Sequence, residues 1–261
     1  MSRIFLSGLA LLAISLTGLK AQDARVPVIV ELFTSEGCSS CPPADRLAAR
    51  LDEAQPIPGV HAIAMEEHVD YWNQLGWTDP FSSALFSQRQ NEYASILGGD
   101  GVYTPQMVVN GQTGFVGGDG ATAYREIQRA ARNQSARVSL RPIAATSDAR
   151  SVDLAIEVHA DPEGDRADVY LWVTENGLSS NVSRGENSGH TLRHAPVVRS
   201  FEIIGGVDPR KSPAANWTGK IRLSSEWKRE NLRAVIFVQE RKSRRITGAA
   251  AATLRPSTPS L

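Results

Sequence analysis

Two hydrophobic rhythms divide the chain. Residues 26–33, VPVIVELF, are a short run of β-branched and apolar side chains, the pattern of a buried strand. After Pro42-Pro43, the stretch ADRLAARLDEA sets Leu47, Ala48 and Leu51 at helical spacing with an aspartate near its start, so a helix follows that strand. VHAIAM at 60–65 predicts a second strand. In FSSALFSQRQNEYASIL, Phe81, Ala84, Leu85, Tyr93, Ile96 and Leu97 predict one apolar helix face, capped by Asp79-Pro80 and ended by Gly98-Gly99. VYTPQMVVNGQTGFVGG predicts a hairpin turning at Asn110-Gly111, and ATAYREIQRAARN a closing helix. Strand, helix, strand, helix, hairpin, helix is an α/β layout with a mixed sheet, here over residues 26–136.

From Arg137 the helical rhythm stops. RVSLRPI, SVDLAIEVHA, ADVYLWVTE, PVVRSFEII, GKIRLS and NLRAVIFVQE are strand-like runs separated by Gly, Pro, Asn and Asp turns. This spacing predicts an all-β, sandwich-like unit over residues 137–250. Residues 251–261, which end in RPSTPSL, are expected to be a disordered tail.

The first residues follow neither rhythm. Met1-Ser2-Arg3 precedes IFLSGLALLAISLTGL, a charged start followed by an apolar core, as in a secretory signal peptide. The run is shorter than the ~20 apolar residues of a membrane-spanning helix. Residues 1–21 are therefore expected to be removed after Ala21 from a secreted or periplasmic protein; the alternative is a retained anchor. No later segment is apolar enough to span a bilayer. Lys and Arg number 28, as do Asp and Glu, and no basic stripe stands out. This excludes nucleic acid as an expected partner.

Only two cysteines occur in 261 residues, too few for a disulfide scaffold. Both lie in TSEGCSSCPPAD, as Cys38 and Cys41, between the first predicted strand and helix. A helix start offers unpaired N–H groups and partial positive charge, which favour thiolate and can bring a cysteine pKa into the range of ~3.5 to 7.5. Pro42 and Pro43 lack N–H groups, so the regular helix is expected to begin at Pro42 and leave Cys38 in the preceding loop. A purely structural disulfide here would close a very short loop and stabilise little. Soft thiolates also suit Cu(I), with His68 as a third ligand, which makes Cys38, Cys41 and His68 the alternative metal set. His190 and His194 would lie ~13 Å apart on a strand and are expected to be polar loop residues. Tyr71, Trp72 and Trp77 are either an aromatic rim for a peptide or core packing.

VIVELFTSEGCSSCPPADRL, joined to YTPQMVVNG downstream, resembles the thioredoxin superfamily: a strand, a Cys-x-x-Cys at a helix start and a Thr-Pro before a hairpin strand. HVDYW, GWTDPFS and SGHTLRHAPVVR look more narrowly like the secreted thioredoxin-like family catalogued as domain of unknown function 1223. The narrower resemblance spans nearly the whole mature chain and brings no established substrate. It implies an α/β thioredoxin-like N-terminal domain with Cys38 as exposed attacking thiolate and Cys41 as buried resolving thiol. It also implies a cis Pro105 shaping a substrate groove, with Thr104 offering backbone groups to an extended peptide. Gly37 and Trp72 complete the expected substrate-binding set, although thioredoxins commonly carry an aromatic where Gly37 stands. Glu31 is the expected buried proton acceptor for Cys41. The implied function is thiol-disulfide exchange on a protein partner, without a cofactor. A non-catalytic binding module on the same scaffold is the third alternative.

Overall fold

The computed structural model describes residues 25–98, 101–143 and 150–255. The expected signal segment and residues 256–261 of the expected tail lie outside them. Strand β1 (Val26–Thr34) and strand β2 (Val60–His68) run parallel, joined by helix α1 (Pro42–Ala54). Their register pairs Val26 with Val60 and Thr34 with His68, so both strands end at the same level. After helix α2 (Ala84–Leu97), the hairpin of β3 (Gln106–Val109) and β4 (Thr113–Val116) lies antiparallel beside β1, and helix α3 (Gly120–Ala131) follows. Asn110 and Gly111 both take positive φ, 45° and 67°, as a tight two-residue hairpin turn requires.

The remaining strands are β5 (Arg137–Pro142), β6 (Ser151–His159), β7 (Ala167–Glu175), β8 (Ser179–Asn181), β9 (Thr191–Arg193), β10 (Val197–Val207), β11 (Ala214–Arg222), β12 (Leu232–Glu240) and β13 (Ile246–Thr253). Four of them extend the first sheet, giving the order β13-β12-β7-β10-β2-β1-β3-β4. The join is β10 on β2, where Val197 pairs with Glu66 and the Glu66 N–H donates to the Pro196 carbonyl at 2.9 Å. β10 covers the β2 edge at Glu66; nearer its start Gln55 bonds the N–H and carbonyl of Ala62, Asp52 accepts from Ala64 N–H, and Arg233 donates to the Ala64 carbonyl. The boundary expected near residue 137 therefore separates two textures of sequence but does not part the sheet. A second sheet, β11-β6-β5, packs on β7 and β12 through Leu154, Ile156, Leu171 and Ile236.

Strand alternation sorts the first sheet into two faces. Val28, Val30 and Leu32 of β1, with Ala62 and Ala64 of β2, meet Ala44, Ala48 and Leu51 of α1 and Ile127 of α3. Ile29, Ile63 and Met65 point the other way, toward Phe86 of α2 and toward Trp172 and Phe237. Glu66 and His68 thus share the α1 face, whereas Glu31 and Glu67 lie on the α2 face.

Two predicted elements shift. Helix α2 is capped by Ser83, whose hydroxyl accepts from Leu85 N–H, and not by Asp79. Its buried face is Phe86, Arg89, Gln90 and Tyr93, while Leu85 and Ile96 are exposed. The polar Arg89 and Gln90 hide this face from a purely hydrophobic count. Strand β13 was not expected, because GAAAAT has low intrinsic β preference. Pairing along β12 and packing of Ile246 and Ala249 in the cluster of Trp172 and Phe237 override that preference. Residues 251–253 belong to this strand and Leu254 is buried, so the chain is ordered past the expected tail start at 251.

Candidate functional site

The ends of β1 and β2 converge with the start of α1. Cys38 and Cys41 are joined as a disulfide and both are fully buried. Cys41 is the N-cap of α1, with Pro42 and Pro43 filling the first two helical positions. Its carbonyl accepts from Ala44 N–H at 2.8 Å and Asp45 N–H at 3.1 Å, and the Cys38 carbonyl accepts from Cys41 N–H at 3.2 Å. Cys38 therefore sits in the turn before the helix, and Cys41 is the sulfur nearer the helix end. The exposed Ser39 and Ser40 separate them, with Ser40 Oγ 3.4 Å from Cys38 Sγ.

The segment between β8 and β9 lies over this turn. Asn187 Nδ2 donates to the carbonyls of Glu36, at 2.8 Å, and Cys38, at 3.0 Å. Glu186 accepts from both the N–H and the hydroxyl of Ser39. Gly185 meets Trp77, whose indole N–H donates to Glu36 at 2.7 Å. Each of the two Asn187 hydrogen bonds contributes about 1 kcal/mol net. Asn187→Ala is therefore expected to raise the rate of disulfide reduction by excess dithiothreitol in the folded protein about tenfold or more, because the attacking thiolate needs this segment lifted. A rate unchanged in the variant would show that the segment does not limit access.

A buried polar cluster continues below the turn. Asp79 accepts from His68 Nδ1 at 2.7 Å, from Glu36 N–H at 2.8 Å and from Phe81 N–H at 2.9 Å. Glu36 accepts from His194 Nε2 at 3.0 Å. Glu66 accepts from Ala195 N–H at 2.9 Å, and its other oxygen faces both histidines at 3.4 Å. Burial opposes charge on His68, but the Asp79 carboxylate overrides it and holds the imidazole well above its ordinary range. His194 is raised to about 9 against burial, by Glu36 and Glu66. Burial raises Glu66, and the two histidines more than reverse that, so its carboxyl lies below the usual range. Asp45, one turn into α1 and hydrogen-bonded to Thr34 Oγ1 at 2.7 Å, is pushed up to about 8, first by burial and then by the charge of Glu66.

A family model described as "Protein of unknown function (DUF1223)" matches residues 29–239. The chain belongs to the DUF1223 family. No curated protein matches it. Among solved structures, a protein from Agrobacterium tumefaciens is similar at 26% identity over 92% of this chain and 100% of its own, with a TM-score of 0.66. HBP35 of Porphyromonas gingivalis is similar at 15% identity over 91% of this chain and 79% of its own, also with a TM-score of 0.66, a likeness of fold. Among the described residues of the DUF1223 chain, no helix is long and apolar enough to cross a membrane.

The sites expected from sequence fare unevenly in this DUF1223 protein. Thr104-Pro105 is a cis peptide, and Pro105 stands with Leu32 and Ala44 around Gly117. Trp72 links the expected rim: its indole N–H donates to Thr104 Oγ1 at 2.8 Å, and its Cβ would stand 3.2 Å from a side chain's first carbon at Gly37, a tight contact. Gly37, Trp72, Thr104 and Pro105 therefore come together. Cys38, expected to be exposed, is fully buried, and Asn187 and Glu186 fasten the β8–β9 segment to the backbone and Ser39 of the same turn. Glu31, expected beside Cys41, points to the opposite sheet face, where Arg89 and Tyr93 each donate to it at 2.6 Å. The odd–even alternation of β1 places it there, away from the α1 face. Of the alternative copper set, the two sulfurs bond each other, and His68 has Nδ1 at Asp79 and Nε2 3.4 Å from Glu66.

Asp45, Glu36, Glu66 and Asn187 were not read as site residues, Asp79 was read only as a helix cap, and His194, expected to be a polar loop residue, is buried in the cluster. HVDYW, GWTDPFS and SGHTLRHAPVVR were the signal available, since they carry His68, Asp79 and His194. Spacing along the chain could not say that the three converge.

Proposed function

We propose that this DUF1223 protein is an exported thiol-disulfide oxidoreductase, built on a thioredoxin-like N-terminal half, that exchanges its Cys38–Cys41 disulfide with protein thiols. The observation that carries this reading is the placement of the pair: a disulfide between a buried strand and a helix start, with Cys41 as the helix N-cap. A cis Thr104-Pro105 shares a rim with Trp72 and Gly37. A substrate thiolate attacks Cys38 Sγ, the S–S bond breaks, and Cys41 leaves as a thiolate stabilised at the helix N-terminus. A second substrate thiolate then attacks the mixed disulfide and releases Cys38. The substrate dithiol becomes a disulfide, and two electrons and two protons reach the protein pair. Run backward, the same steps reduce a substrate, and the relative potentials set the direction. Asp45 is the buried acid one turn from Cys41 and takes the proton-handling role first given to Glu31.

The test is alkylation trapping of the protein across a glutathione and dithiothreitol series, with insulin and an unfolded dithiol protein as defined substrates. Reversible titration of the pair is expected, with turnover lost in Cys38→Ala and a mixed disulfide captured by Cys41→Ala. A pair that remains oxidised in strongly reducing buffer, with no mixed disulfide in Cys41→Ala, would leave only a binding module.

A further inference from the structure

Two buried imidazoles each bring one nitrogen to the same carboxylate oxygen. His68 Nε2 and His194 Nδ1 both stand 3.4 Å from Glu66 Oε2. The three atoms lie within 4.8 Å of one another, on buried residues. The opposite ring nitrogens make short bonds, 2.7 Å from His68 Nδ1 to Asp79 and 3.0 Å from His194 Nε2 to Glu36. The inner separations are longer than the ~2.7–2.9 Å of a charge-assisted hydrogen bond. His194 Nδ1 is left buried with no hydrogen-bond partner, a costly omission.

A metal ion accounts for both features. Zinc bonded at about 2.0–2.1 Å to nitrogen and oxygen ligands in a tetrahedron spaces them about 3.3–3.4 Å apart. The outer carboxylates do what metal-site partners do: with the ring protons on His68 Nδ1 and His194 Nε2, both inner lone pairs face Glu66. Glu66 is itself fixed by Ala195 N–H. Phe81 walls the cluster, with its ring centroid 5.5 Å from that of His68 and 5.3 Å from that of His194. Charge is conserved in this exchange. With both imidazoles protonated, Glu36, Glu66 and Asp79 leave the cluster at a formal −1, and a divalent cation that displaces one proton from each ring keeps it there.

We propose that Glu66, His68 and His194 form a buried binding site for a divalent transition-metal ion of the zinc type. The ligand atoms are Glu66 Oε2, His68 Nε2 and His194 Nδ1, and Glu36 and Asp79 orient the rings. Three protein ligands leave a coordination position for water or a substrate group. This site uses no sulfur, and so goes beyond the exchange chemistry proposed above. It also fastens the β8–β10 region to β2, because His194 follows β9 directly and Glu66 pairs with Val197.

Calorimetric titration of chelator-treated protein with Zn2+ alone tests the proposal. One ion per chain is expected. Binding should weaken roughly 10–100-fold in Asp79→Asn, which keeps all three ligands, and be lost in His194→Ala. It should be unchanged in His190→Ala, whose histidine is exposed, and in the Cys38→Ser/Cys41→Ser double variant. Because that double variant performs no exchange, zinc binding by it is independent of the oxidoreductase reading. The Co2+ form of the unaltered protein needs no variant to fold: ligand-field bands without thiolate charge-transfer absorption are expected. Absent stoichiometric binding, binding that survives in folded His194→Ala, or a thiolate charge-transfer band would each overturn the site.

Discussion

Arg89→Met is expected to destabilise the protein by about 3–5 kcal/mol, the usual cost of removing one partner from a buried ion pair. Arg89 Nε donates to Glu31 at 2.6 Å, and its other nitrogens donate to Gln239 at 3.1 Å and to the Tyr93 hydroxyl at 2.8 Å. The guanidinium lies 4.9–5.6 Å from the ring centroids of Tyr93, Tyr170, Trp172 and Phe237. Glu67 is a second buried carboxyl 3.7 Å away, without a hydrogen-bond partner, and burial followed by the charge of Glu31 pushes it well above its ordinary range. Arg89 therefore carries the compensating charge of an otherwise acidic pocket and pins α2 to both halves of the sheet. Methionine fills much of the volume but leaves Glu31 buried and unpaired. Urea denaturation measures the loss. Adding Glu31→Gln to Arg89→Met should recover part of it, since the uncompensated charge is then gone. A loss below about 1 kcal/mol in the single variant would mean that the cluster does not secure α2.

The second large effect is in pH. Asp45 has a folded pKa of about 8 against an ordinary 3.8, so between those values the native state keeps a proton that the unfolded chain has released. Folding then binds a proton, and the Asp45 contribution to stability falls as pH rises from about 4 to about 8, by at most ~1.4 kcal/mol per pH unit. Above pH 8 the full cost of a buried carboxylate is present. Asp45→Asn cannot ionise and removes this component while keeping an acceptor for Thr34 Oγ1. The difference in unfolding free energy between variant and parent should therefore shift in favour of the variant as pH is raised from 5 to 8. A difference independent of pH would show that Asp45 is ionised throughout. The same variant should alter the pH profile of dithiothreitol reduction, since Asp45 stands one turn from Cys41.

The order of elements from β1 to α3 was legible because each has its own rhythm and punctuation. β1 is apolar and β-branched, α1 starts at Pro42-Pro43, and the hairpin turns at Asn110-Gly111. α2 was legible as a helix but not in its facing, since its burial depends on Arg89 finding Glu31, 58 residues away. β13 was illegible because alanine carries little strand signal until β12 and the aromatic cluster are in place. Of the site, the cysteine pair and Thr104-Pro105 could be read directly, as contiguous motifs. Glu31 was misassigned because an acid on the right strand can still face the wrong side of the sheet.

The sequence by itself determined the local pattern: a Cys-x-x-Cys pair, a proline-rich helix start that leaves Cys38 in a loop, and a family membership spanning most of the chain. Tertiary structure decided accessibility and assembly. It brought Asn187 over Cys38 from 149 residues away and His194 to Glu36 from 158 residues away. It also aimed both histidines at one oxygen of Glu66. Spacing along a chain reports only neighbours within a turn or a strand, whereas the cover and the histidine–carboxylate cluster draw on β1, β2, the loop before α2 and the segments flanking β9, which only the folded chain brings together.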